Sequence, residues 1–272
     1  METLSGDSVL DQIISARRRR IAEARARVPL ESVQQAAERR HERRDFAAAL
    51  SAGGLQGIPR VIAELKQASP SAGVLRQNYR PREIAQGYEA GGAAALSVLT
   101  EEQFFAGSLT DLIDARDAVG LPVLRKDFIL DDYQVYESVA AGADALLLIA
   151  AALPAEQLRH FVELANRLRI VPLVEVHTAS ELDRALAAGA RLIGVNNRNL
   201  KTLEVSLETS FRLRERIPPD RLAISESGIK TAAHLQSLGQ VGYHAVLVGE
   251  HLMRAEDPGR ELAVLLSSAR EK

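Results

Sequence analysis

Lys126 stands in the stretch Leu121-Pro-Val-Leu-Arg-Lys-Asp-Phe-Ile-Leu130, where an apolar run entered through Gly120-Leu-Pro ends abruptly in charge. Such a run reads as a strand entering a core. Burying an unpaired lysine costs on the order of several kcal/mol, so Lys126 belongs at the open mouth of a sheet. It is there either as a surface ion pair with Asp127 or as a poised proton donor. The same pattern recurs along the chain. Glu64 and Lys66 close one apolar run, Ser97 and Thr100-Glu101 another, and Glu175 with His177 a third. Asn196-Asn-Arg198, Ser225-Glu226-Ser227-Gly228 and Gly249-Glu250-His251 close three more. Singly, each reads as a surface pair or a helix cap; Glu250, for example, is simply favourable at a helix N-terminus. Gathered in one place, their mutual fields would shift pKa values and tune an acid and a base toward neutrality.

The elements that would gather them are legible from Pro59 onward. Short apolar runs at 61–65, 94–99, 122–124, 145–149, 171–174, 192–195, 222–224 and 245–248 alternate with amphipathic stretches such as 154–169 and 178–188. Most runs lack polar alternation, as parallel strands buried on both faces should. Three helix-to-strand junctions share one grammar, Glu89-Ala-Gly-Gly, Ala140-Ala-Gly-Ala and Ala187-Ala-Gly-Ala, and Gly239 with Gly242 is a looser fourth. Glycine there fits a left-handed helix C-cap that drops the chain into the next strand. Eight strands alternating with helices, without GxGxxG or a long linker, predict a single α/β domain of the (β/α)₈ TIM-barrel type. In that fold the active site lies at the C-terminal strand ends, where the charges stand.

Loops after the seventh and eighth strands often bind phosphate in such barrels. Ser227-Gly228 and Gly249-Glu250 occupy those places, and together they point to a phosphorylated small-molecule substrate. Phe104-Phe105 reads either as core or as a wall against an aromatic ring, and Gly107-Ser108 beside it, which places the pair in the active-face loop, favours the wall. The six histidines show no metal-ligand spacing.

With 272 residues, 46% hydrophobic and 26% charged, the chain can bury a large core. A net charge of -2 gives no general attraction to nucleic acid or to an anionic membrane. The absence of cysteine removes disulfides, thiolate metal sites and cysteine nucleophiles. No apolar run is long enough to span a bilayer, and Met1-Glu-Thr-Leu-Ser-Gly-Asp7 lacks a leader's basic-then-apolar pattern, so a cytoplasmic protein is expected. Residues 1–46 read as a helical N-terminal extension packed on a barrel of residues 47–272. Its first helix spans 8–27 with Ser8 as N-cap, and its second 30–42. The run Arg17-Arg-Arg-Arg20 lacks interleaved aromatics and reads as a solvated helix face rather than a nucleic-acid patch.

In order, the segments Ile62-Ala-Glu-Leu-Lys-Gln-Ala-Ser-Pro-Ser71, Leu96-Ser-Val-Leu-Thr-Glu101, Leu124-Arg-Lys-Asp-Phe128, Leu173-Val-Glu-Val-His177, Gly194-Val-Asn-Asn-Arg-Asn-Leu200, Ser225-Glu-Ser-Gly228 and Val248-Gly-Glu250 resemble indole-3-glycerol phosphate synthases. The likeness runs from about Arg43 to Arg254. It implies an enzyme of tryptophan biosynthesis that converts 1-(2-carboxyphenylamino)-1-deoxyribulose 5-phosphate to indole-3-glycerol phosphate, releasing CO₂ and water. By the family pattern Lys126 is the general acid and Glu175 the general base. Lys66 would hold the substrate carboxylate, and Glu64 and Asn196 would polarise the network around the lysines. Which lysine donates in each step stays open. The resemblance further implies that Glu226 contacts the substrate and that Ser69 and Lys66 assist the phosphate site. Phe105 and the end of the fourth strand near Leu148 would wall the anthranilate ring. No metal, no organic cofactor and no fused pathway enzyme is expected. A related isomerase of the pathway uses a cysteine base, which this chain lacks, and a non-catalytic sensor would need no acid and base.

Overall fold

A computed structural model describes residues 8–51, 57–200 and 202–270. The first seven residues, read above as lacking a leader, lie outside the described residues. Eight parallel strands close on themselves: β1 (Arg60–Leu65), β2 (Ala95–Leu99), β3 (Val123–Lys126), β4 (Ala145–Ile149), β5 (Val171–Val176), β6 (Leu192–Asn196), β7 (Leu222–Glu226) and β8 (Ala245–Val248). Each pairs with its sequence neighbours, and β1 joins both β2 and β8. Helices alternate with the strands from α4 (Pro81–Ala90) through α5 (Leu109–Ala118), α6 (Asp132–Ala140), α7 (Ala155–Arg167), α8 (Ala179–Ala187), α9 (Glu208–Arg214) and α10 (Ala232–Gln240). A short α11 (Glu250–Arg254) and the closing α12 (Pro258–Arg270) follow β8. This is the expected (β/α)₈ barrel.

Four strands outrun their apolar cores. β3 takes in Arg125 and Lys126, β5 takes in Glu175 and Val176, β6 takes in Asn196, and β7 takes in Ser225 and Glu226. Charge stops a hydrophobic run in the sequence, but it does not stop a parallel ladder that can continue to the barrel rim. The four junction glycines, Gly92, Gly142, Gly189 and Gly242, all adopt φ between 81° and 91°, as the repeated grammar requires. Helix starts follow capping chemistry: the Thr178 side chain accepts from the Glu181 N–H, and the Asp131 side chain from the Tyr133 N–H.

Strand parity divides the core in two. Ile62, Ala95, Leu124, Ala145, Leu147, Leu173, Leu192, Ile224 and Ala245 face inward and fill the barrel. Their neighbours, among them Val61, Leu96, Val123, Leu146, Leu148, Val174 and Ile193, face the helices. Phe46, the last residue of the expected extension, begins α3 (Phe46–Ser51). With Leu50 it is fully buried in the inner cluster, and α3 packs where the strands begin.

The helix α1 (Val9–Arg27) starts at Ser8 in a reciprocal capping box with Asp11. It lies along the opposite rim. Leu10 and Ile13 join the inner cluster, Arg20 pairs with Glu102, and Arg25 reaches Asp131 at 2.7 Å. Arg17 corrects the reading of a solvated basic face. It is 6% exposed, and its Nη2 lies 2.5 Å from Asp127. Only Arg18, Arg19 and Arg20 of the run face solvent. A helix laid across a barrel rim must bury one stripe, and that stripe takes in the first arginine of the four. The next helix, α2 (Leu30–Glu38), packs on α6 and ends four residues earlier than expected. The chain then runs extended so that the Arg44 N–H can donate to Asp144 at 2.9 Å.

Candidate active site

Five polar side chains are the last inward-facing residues of their strands. Glu64 on β1, Lys126 on β3, Glu175 on β5, Asn196 on β6 and Glu226 on β7 all point into the barrel mouth, because each is in phase with an inward apolar residue, two places earlier in four of them and four places earlier, at Leu192, for Asn196. Lys66 follows Glu64 at the same interval. They line the floor and sides of a cavity of about 570 Å³ at the C-terminal rim. A pocket of this size suits a metabolite rather than a polymer.

The floor is one connected system. Lys126 Nζ donates to Glu175 Oε2 and to Glu226 Oε2, each at 2.8 Å. The other oxygen of Glu175 accepts from Asn196 Nδ2 at 3.1 Å, and Asn196 Oδ1 accepts from the Arg198 N–H. Across the floor Lys66 Nζ lies 2.6 Å from Glu64 Oε1. Burial opposes the charge of Lys126, but the fields of Glu175, Glu226 and Glu64 outweigh it and raise its pKa above the ordinary lysine value. Burial also drives Glu226 up, to about 7; Lys126 pulls it down, and Glu175 pushes it back up. Glu226 Oε1 is buried without a hydrogen-bond partner, which fits a carboxyl group ready to carry a proton. The ring holds two ammonium groups and three carboxyl groups. Such a set can deliver a proton at one atom and remove one at another.

Asp127 is not the partner of Lys126. It turns the other way, out of the barrel, and accepts from Arg125 Nη2 at 3.0 Å, Thr100 Oγ1 at 2.5 Å and Arg17. Arg125 itself is fully buried and also pairs with Glu137 at 2.9 Å. Three neighbouring charges therefore divide by parity. Lys126 serves the cavity, while Arg125 and Asp127 fasten β3 to α6 and α1.

The remaining candidates distribute over the walls. Ser227 and Gly228 line one end, both with positive φ, of 69° and 80°. Gly249 and Glu250 line it beside them, and Glu250 pairs with Arg198 and Arg254. A Cβ at Gly249 would stand 2.2 Å from Glu64 Oε1, so the bare backbone there makes room for the floor. Ser69 borders the cavity with an unpartnered buried hydroxyl. It sits in a small hairpin, Ala68–Ser69 against Gly73–Val74, that gives shape to the loop after β1.

Phe105 lines the opposite wall, its ring centroid 6.3 Å from that of Phe128. Leu148 does not. It faces the helices, and Leu147 and Ile149 on either side of it line the cavity instead. An apolar strand carries no internal mark of which parity points inward. Its phase follows from its neighbours: Ile149 is in register with Glu175.

Several cavity residues lay outside the sequence reading. Val9, Leu10 and Ile13 of α1 form part of the wall, so the extension contributes to the site. Their signal was an apolar stripe richer than a solvent-covered helix needs. Arg198 was visible as a strand-end residue without a role; it lines the cavity beside Glu250. Among the described residues no cluster of three or more histidine, aspartate or glutamate side chains is placed to hold a metal ion. No helix among them is long and apolar enough to cross a membrane.

Comparison with known proteins gives this geometry a context. A family model for indole-3-glycerol phosphate synthase matches residues 10–265. The indole-3-glycerol phosphate synthase of Albidiferax ferrireducens is 52% identical over 261 residues, covering 96% of this chain and 99% of the relative. That of Chromobacterium violaceum is 51% identical over 257 residues, with 94% and 97% covered. Among solved structures, a thiamine phosphate pyrophosphorylase from Pyrococcus furiosus superposes with a TM-score of 0.57 at 16% identity, covering 79% of this chain and 96% of that one. This last likeness concerns the barrel fold alone.

Proposed function

The chain belongs to the indole-3-glycerol phosphate synthase family, and from that membership we propose that Lys126 and Glu175 are the acid and base of its reaction. The family activity is a carboxy-lyase step of tryptophan biosynthesis. The substrate under this reading is 1-(2-carboxyphenylamino)-1-deoxyribulose 5-phosphate. The observation that carries the assignment is Lys126 bridging Glu175 and Glu226 on the cavity floor.

Ring closure joins the carboxylate-bearing carbon of the anthranilate ring to C2 of the ribulose chain, and the C2 oxygen takes a proton. Lys126 supplies it. Its raised pKa keeps it charged before reaction, and the forming alkoxide is a far stronger base than an amine. Lys66, tethered by Glu64, offers the substrate carboxylate a cation until CO₂ leaves. Dehydration then delivers a second proton, from one of the two lysines, to the C2 hydroxyl so that it leaves as water, and removes a proton from C1. Glu175, oriented by Asn196, is the base, and Glu226 is the second carboxyl group in contact with the lysine. The anthranilate ring lies against Phe105, with Leu147 and Ile149 beneath it.

The phosphate lies on Ser227-Gly228 and Gly249-Glu250, where backbone N–H groups can meet an anion, with Ser69 and Lys66 nearby. Gly228→Asp should therefore raise KM by roughly tenfold or more, because a like charge enters the anion site. A Cβ there also stands 2.7 Å from Val205 Cγ1, so the loop must shift as well. An unchanged KM would place the phosphate elsewhere.

The Glu226 carboxyl gives a pH signature. It is protonated below about 7 and ionised above, and protonation removes one of the two carboxylates that hold Lys126. Hence kcat/KM should fall as pH drops through that region, and Glu226→Gln should lose this limb. The substrate phosphate titrates identically with both enzymes, so the difference between the two profiles isolates Glu226. The direct test of the whole reading is incubation with the substrate, following indole absorbance and fluorescence. Absence of product would defeat it.

A further inference from the structure

A buried polar network stands behind the Ser227-Gly228 turn, and no step of the chemistry above uses it. Its centre is Asn197, the residue after β6, which is 1% exposed. Asn197 Nδ2 donates to Ser227 O and to Ser225 Oγ, each at 3.0 Å. Its Oδ1 accepts from the Ser210 N–H at 3.1 Å and from Ser210 Oγ at 2.8 Å, in the first turn of α9. The Ser210 and Ser225 hydroxyls meet at 2.7 Å, and Tyr243 Oη donates to Ser210 O at 2.8 Å. The main chain is tied too: Asn197 N–H donates to Glu226 O, and Asn197 O accepts from the Ser206 N–H. The amide orientation is forced, since a backbone N–H can only donate and a backbone carbonyl can only accept.

The geometry of one peptide plane makes this arrangement consequential. Ser227 is a non-glycine residue at positive φ, a conformation that persists only when its surroundings hold it. In a trans peptide the carbonyl and the following N–H point in opposite directions. Holding Ser227 O toward Asn197, on the α9 side, sends the Gly228 N–H the other way, toward the cavity that Ser227 and Gly228 line. We propose that Asn197 is a positioning residue that aims the Gly228 N–H at the substrate phosphate. It sets affinity for the phosphate without touching the reacting atoms. This rests on the reading that the phosphate lies at Ser227-Gly228.

Asn197→Asp keeps the acceptor for Ser210 and replaces the Nδ2 donor with an oxygen that faces Ser227 O. The expected result is a rise of about tenfold both in KM and in the inhibition constant of inorganic phosphate, with kcat changed by no more than about threefold. A merely structural role would lower Tm and leave the phosphate constant where it was; that outcome, or a loss confined to kcat, overturns the proposal. Should Asn197→Asp fail to fold, Asn197→Ser, neutral and too short to reach Ser227 O, is read by the same two constants. Gly228→Asp separates the two levels of argument. If it raises both constants while the Asn197 variants do not, this proposal alone fails. If it moves neither constant, the phosphate assignment falls, and this inference with it.

Discussion

Lys126→Ala is expected to lower kcat by roughly 10²–10⁴, the span associated with loss of a positioned proton donor, while KM stays within a few-fold. The substrate's handles explain the asymmetry. Its phosphate and its carboxylate rest on other groups under the reading above, so removing Lys126 leaves them in place. The variant should fold. Its last inward position on β3 borders open cavity rather than packed core, so little apolar contact is lost. The two carboxylates that Lys126 now holds do not remain a bare buried pair, because its cation is what lowers the pKa of Glu226. Without it the Glu226 value rises further, and the group stays protonated through neutral pH. Steady-state kinetics with thermal unfolding alongside would check this. Turnover within tenfold of the wild type, in a folded variant, would remove Lys126 from the acid's role.

How far the sequence reveals this site depends on what each residue's neighbours say. Lys126, Glu175 and Glu226 were legible because charge interrupts apolar runs that could only be strands, and the fold rule then places those ends together. Which charges meet was less legible. Asp127 is adjacent to Lys126 in the chain and faces the other side of the strand, a consequence of parity that needs the strand's true end. Four strands run on past their apolar residues, β3 by two positions beyond Leu124, so the apolar run alone does not mark that end. Leu148 failed for the related reason that an all-apolar strand hides its phase. Arg17 failed because its environment is made by tertiary packing: nothing near it in sequence announces Asp127, 110 residues away. By contrast, the junction glycines carry a local requirement, positive φ, and could be read where they stand.

Glu175→Gln should cost a similar factor, roughly 10²–10⁴ in kcat, but at a different point along the reaction. Gln is nearly isosteric, so the cavity keeps its shape. Its amide can still accept from Lys126 or from Asn196, though not from both as the carboxylate does through its two oxygens. What is lost, under the proposed assignment, is the group that takes a proton during dehydration. Condensation and CO₂ loss need the acid, not this base. A single turnover of Glu175→Gln should therefore release CO₂ well ahead of indole formation, whereas the wild type should show the two closely coupled. Measuring both products in one quench series decides between roles. If CO₂ release slows as much as indole formation, Glu175 acts before or during ring closure, through its hold on Lys126. If CO₂ appears first and indole lags, the base belongs to the final step, and the side-by-side arrangement of Lys126 and Glu175 is a division of labour between the two halves of the reaction.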